Sequence, residues 1–166
     1  MKAVLYAYPL LKTVEEDYAE HIKNKAVLSY NSRLTTQELA EYLAGEILHK
    51  NRLVWLKDVI EQTLARLSET ERALLKIRYF GKNRKRCLQG LGQTFPKGES
   101  PLEWSERKYF RMQQRVGEKT VAMLKLAGVT RTLFDRELAE IDIFRKICRY
   151  IDRQEKSESC VHSSVS

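Results

Sequence analysis

The chain has 166 residues, 43% of them hydrophobic, which is enough to bury a core in one domain or two small ones and too apolar for a disordered chain. No apolar run approaches the roughly 18 residues needed to cross a bilayer. The start MKAVLYAYPLLKTVEED turns acidic within a few residues and has no small-residue cleavage site, so a soluble, cytoplasmic protein without a secretory signal is expected.

The net charge of +8 is unevenly placed. Residues 1–80 hold 12 Lys/Arg and 11 Asp/Glu, residues 81–125 hold 11 and 4, and residues 126–166 hold 7 and 7. A lysine coat that served only solubility would be spread evenly. A local excess makes a phosphate-attracting surface, and nucleic acid is the commonest such partner.

Leu, Glu, Lys, Arg, Ala and Gln are plentiful, and there are only 3 Pro and 7 Gly, a balance that favours helix. Pro9 suits the first turn of a helix. From there to about Tyr30, Leu10, Val14, Tyr18, Ile22 and Ala26 recur every four residues as an apolar stripe. Thr35 opens the second helix with the capping box T-T-Q-E, Glu38 being the return partner. Leu34 and Leu39 stand at hydrophobic-staple spacing. Leu39, Leu43 and Ile47 share a face, His49, Lys50 and Asn51 interrupt it, and Leu53, Leu56, Ile60, Leu64 and Leu67 resume it. Two helices with a break near Asn51 are expected.

Ser68 repeats the device as S-E-T-E, with Glu71 returning to the cap. Leu74 and Ile77 should face inward, and Gly81 is a natural stop. The segment KNRKRCLQGLGQTFPKGESPLEW that follows holds both remaining prolines. A short helix near Arg84–Gln89 followed by loop fits it. Ser105 then caps a helix with Glu106 in its first turn. Tyr109, Met112, Val116 and Met123 make the inward stripe, which Phe110, Val121 and Leu124 widen. Gly128 closes it. Thr132 should cap a last helix from Leu133 to about Asp152, with Leu138, Ile141, Phe144, Cys148 and Ile151 inward. The polar tail EKSESCVHSSVS has no periodicity and reads as disordered.

LSETERALLKIRYFG, a basic connector and the Ser-capped, Arg- and Gln-rich helix in WSERKYFRMQQRVGEKTVAMLKLAG stand in this order. The first phrase resembles the opening helix of the sigma factor region 4 helix-turn-helix. The second resembles the recognition helix of phage late-gene regulators of the ArpU/RinA type, with Tyr109 and Phe110 as the paired aromatics. The likeness covers roughly residues 67–127. The connector from Gly81 to Ser105 departs from it, being about ten residues longer than a tight helix-turn-helix needs.

The residues make the same case independently. A helix fits the major groove, where side chains near its N-terminus reach base edges. Arg107, Arg111 and Gln114 recur at three- and four-residue spacing with Lys108 and Arg115 beside them, and these five are the candidate base contacts. Arg bonds guanine and Gln bonds adenine through two atoms each. Lys82, Arg84, Lys85 and Arg86 are candidate phosphate contacts, and Ser105 at the helix N-terminus is another.

Catalysis is not expected. His21, His49 and His162 are far apart in sequence and no Cys pair accompanies them, so no metal site is indicated. Cys87, Cys148 and Cys160 form no C-x-x-C, which fits reduced thiols. GLGQT lacks the Lys-Ser/Thr ending of a phosphate loop. No cofactor is implied.

The expected architecture is all-α: a helical interaction or dimerisation part at 1–66, a DNA-binding helix-turn-helix at 67–128, a closing helix at 129–154 and a tail at 155–166. The expected function is a sequence-specific duplex-DNA-binding transcriptional regulator of bacterial, phage or mobile-element origin. Its partners would be double-stranded DNA, RNA polymerase and a second copy of the chain. Two alternatives stay open. One is a recombination directionality factor working with a site-specific recombinase. The other is a protein-only adaptor that mimics or binds a sigma factor.

Overall fold

The computed structural model describes residues 2–28, 35–80 and 104–162, with side chains except at Lys12, 25–28 and 154–162. These residues are all-α, with no strand among them. The helices are α1 (Lys2–Leu28), α2 (Thr36–Ala65), α3 (Glu69–Leu75), α4 (Glu106–Leu126) and α5 (Asp142–His162). Wide π-type turns follow α3 at Lys76–Phe80 and precede α5 at Phe134–Leu138. The staple residue Leu34, the stop at Gly81, the short helix near Arg84–Gln89 and Cys87 lie outside what is described, as does the side chain of Cys160.

The chain forms two compact units. One is Asp58–Thr130; the other joins Lys2–Lys57 to Arg131–Ser166. The expected division at residue 66 therefore falls earlier, inside α2, and the closing helix belongs with the N-terminal helices. α2 is one helix, not two. His49, Lys50 and Asn51 are half-buried or exposed, so they interrupt the apolar stripe without ending the helix. Leu39 and Leu43 are half-buried and Ile47 is exposed, whereas Leu53, Leu56 and Ile60 of the second half are buried. The Thr35 cap forms as read: its backbone N–H donates to Glu38 at 2.8 Å and its hydroxyl accepts from the Glu38 N–H at 3.2 Å.

In the unit built from both chain ends, α1 packs on α5. α1 begins seven residues before Pro9, so the proline lies inside the helix and removes one internal backbone bond. The earlier start turns a different line inward. Val4, Ala7 and Leu11 are buried, and Leu10 is 45% exposed. Val14, Tyr18 and Ile22 are half-buried. Lys57 reaches Glu15 at 2.7 Å, joining α2 to α1. Arg52 and Arg136 both meet Glu137.

The expected last helix from Leu133 is broken. Thr132 sits inside a helical turn, and α5 starts only at Asp142. The reason is packing. Phe134 and Phe144 meet edge to face, centroids 5.3 Å apart, whereas ten residues of straight helix would separate them by about 15 Å. The corner at 139–141 lets Phe134, Leu138, Ile141 and Phe144 all be buried. At its far end α5 runs on to His162, so residues 155–162 of the expected tail are helical. No helix among the described residues is long and apolar enough to cross a membrane.

In the Asp58–Thr130 unit, α3 packs on α4. Leu67, Leu74, Leu75, Tyr109 and Val116 form the core, and Leu64, Tyr79, Phe80, Trp104, Met112 and Met123 pack around it. Ile77 is buried as expected. The two buried threonine hydroxyls among the described residues of the unit are satisfied within their own helices. Thr63 donates to the Val59 carbonyl at 2.8 Å, and Thr120 to the Val116 carbonyl at 2.7 Å.

Candidate nucleic-acid interface

Ser105 starts α4, accepting a bond from the Lys108 N–H at 3.4 Å. The helix ends where Gly128 takes a positive φ of 91°, a conformation glycine adopts at little steric cost. Tyr109, Val116, Thr120 and Leu124 form its buried line. At 3.6 residues per turn, Arg107, Arg111, Gln114 and Glu118 fall on the opposite side, with Arg115 and Lys108 at one edge. All six are exposed.

Arg107, Arg111 and Arg115 make no ion pair among the described residues. Glu118 shares their face and accepts from the Gln114 side-chain amide on that face at 3.0 Å. Lys108 turns aside, its ammonium lying 4.8 Å from the centroid of the Trp104 ring. The structure thus brings all five proposed base-contacting residues and Ser105 onto the exposed part of one helix. Lys82, Arg84, Lys85 and Arg86 lie outside the described residues.

Glu71 anchors this helix to α3. Its carboxylate accepts from the Ser68 backbone N–H at 2.9 Å, closing the capping box, and from Lys119 of α4 at 2.8 and 2.9 Å. One side chain therefore caps α3 and ties it to α4. Burial pushes the Glu71 carboxyl up, but the Lys119 ammonium and the Ser68 bonds outweigh it and hold it below its ordinary value. The sign follows from linkage. The ionised form is favoured by folding, so the gain is present above the ordinary glutamate pKa of about 4.3 and is lost as pH falls through the lower folded value. The melting-temperature gap between wild type and Glu71→Gln should be widest near neutral pH and narrow below about pH 4. A gap that holds or widens in acid would contradict the pairing.

Two readings from sequence change here. Phe110, expected to widen the inward stripe, is 51% exposed, whereas Tyr109 is 7% exposed. The histidines, read as scattered, partly converge. In the other unit His21 and His49 line one cavity of ≈ 670 Å³ with Tyr18, Tyr42, Glu46 and Asp142. His21 Nε2 lies 2.7 Å from the Tyr42 hydroxyl. Burial, then the Glu46 and Asp142 carboxylates, push the Tyr18 phenol up, so it stays protonated across the neutral range. The bringing together of residues 28 apart had no signal in periodicity. No group of three or more His, Cys, Asp or Glu that could hold a metal occurs among the described residues. Cys148 is a free, half-buried thiol, and burial followed by the nearby Asp152 carboxylate raises its pKa, which disfavours the nucleophilic thiolate.

No protein-family model, curated protein or solved structure matches this chain.

Proposed function

We propose that the chain is a sequence-specific duplex-DNA-binding regulator that lays the N-terminal half of α4 in a major groove. The observation that carries this reading is the row Arg107, Arg111 and Arg115, exposed on one helix and making no ion pair among the described residues. Guanidinium groups without internal carboxylate partners keep their fork of donors for an outside acceptor. The placement of the chain's excess charge in residues 81–125 adds support. Arg107 and Arg111 address bases, with Gln114 and Arg115 beside them and Lys108 at the flank. The Ser105 hydroxyl can donate to a phosphate while its oxygen caps the helix. Lys82, Arg84, Lys85 and Arg86 supply further phosphate contacts. The likeness to the sigma region 4 head and to the ArpU/RinA-type regulators points to promoter control by docking RNA polymerase, without catalysis or cofactor.

Fluorescence anisotropy with a labelled duplex at about 50 and 200 mM salt tests the reading. Neutralising roughly five phosphates should weaken binding by about two to three orders of magnitude between the two. Absence of duplex binding at low salt would overturn it in favour of a protein-only adaptor that mimics or binds a sigma factor. Sequencing the genomic DNA bound in cells separates the two DNA-binding roles. Promoter fragments support the regulator; recombination sites would place the chain beside a site-specific recombinase as a directionality factor.

A further inference from the structure

We propose that Phe110 reads the 5-methyl group of a thymine next to the bases addressed by Arg111 and Gln114; this rests on the DNA-binding reading of α4. Tyr109 and Phe110 are adjacent, but the structure treats them oppositely. Tyr109 is 7% exposed in the core against Leu74, and Phe110 is 51% exposed. The Phe110 ring is nevertheless held, edge-on to Tyr109 with centroids 5.6 Å apart and planes at 77°. It is a half-fixed apolar group that the described residues leave half uncovered.

Its neighbours define what could cover it. Arg107 precedes it by three residues and Gln114 follows it by four, so all three share one side of the helix. A phenyl ring can neither bond a phosphate nor pair with the polar edge of a base. In the major groove the apolar group on a base edge is the thymine methyl, and phenylalanine is among the side chains that meet it. Gly117, two turns beyond Phe110 on the same side, adds a second observation. A Cβ built there would meet nothing within 4 Å among the described residues, so no packing among them requires glycine, although glycine weakens a helix interior relative to alanine. The missing side chain leaves this side of the helix low about 10 Å along the axis from Phe110, where the wall of a groove can come close.

The test begins with the duplex that the wild-type chain recovers from a random-sequence pool. Each thymine of that site is replaced singly by deoxyuridine, which lacks only the methyl group. One replacement should weaken wild-type binding about fourfold, the worth of one buried methyl. Phe110→Ala should bind the thymine and deoxyuridine duplexes equally and keep the wild-type salt dependence, with a small fall in melting temperature from the lost edge contact with Tyr109. A recovered site without thymine, or one in which every deoxyuridine is neutral for the wild type, overturns the inference and leaves salt-sensitive duplex binding standing. Loss of all salt-sensitive duplex binding by the wild type overturns the DNA reading as well. A wild-type preference for single strands that Phe110→Ala abolishes would instead make the ring a base-stacking platform. A change of oligomeric state in Phe110→Ala, seen by sedimentation, would make it a contact between copies.

Discussion

Replacing Leu74 by alanine should lower the stability of the Asp58–Thr130 unit by about 2–5 kcal/mol, the usual cost of emptying a filled core site. Leu74 is 1% exposed and sits among Leu67, Leu75, Tyr109 and Val116. α3 has only 7 residues, too few to persist as an isolated helix. Its capping box and its packing on α4 hold it. Leu74→Ala weakens the packing directly and so loosens the support beneath the arginine-bearing helix. A urea melt followed by tryptophan fluorescence would read this, because Trp104 packs against the same core. Leu74→Met, which nearly conserves volume, should cost less than about 1.5 kcal/mol. Equal melts for wild type and Leu74→Ala would show that this core is not the one described.

Arg111→Ala should cost about 1–3 kcal/mol in binding to the cognate duplex, roughly 5- to 150-fold, with a much smaller loss on unrelated DNA. The reason is position. Arg111 stands opposite the buried line of α4, near enough to its start to reach base edges and with no ion pair to release among the described residues. Arg111→Lys should not restore selectivity, since an ammonium lacks the planar pair of donors that matches guanine. Because Arg111 is exposed, neither variant should shift the melting temperature by more than about 0.5 kcal/mol in equivalent stability. Lys119→Ala makes a useful contrast, since Lys119 pairs with Glu71 between the helices. It should act on α3 docking and leave base preference intact. Equal losses on cognate and unrelated duplexes in Arg111→Ala would reassign this residue to a phosphate.

What sequence alone determined about this protein is whatever depends on neighbours a few residues away. The capping boxes at Thr35 and Ser68 form with their expected partners, and the cap at Ser105 forms as well, because a cap is closed by groups within one helical turn. The all-α class follows from composition and period, and the inward set Leu74, Tyr109 and Val116 from one strongly amphipathic helix and its short partner. The charge excess around α4 is likewise written in order along the chain.

Tertiary structure decided whatever depends on which surface a residue meets. Both halves of α2 carry leucine stripes, but only packing shows that one uninterrupted helix serves two units. The corner before α5 exists because Phe134 must reach Phe144. Leu10 and Phe110 look as apolar as Leu11 and Tyr109, yet they point outward because the partner helices cover the other face. His21 and His49 meet in one cavity although no local rule joins them. Periodicity states that a helix has an apolar side; the shape of the neighbouring surface sets where that side ends, and that shape is assembled from residues distant in the chain.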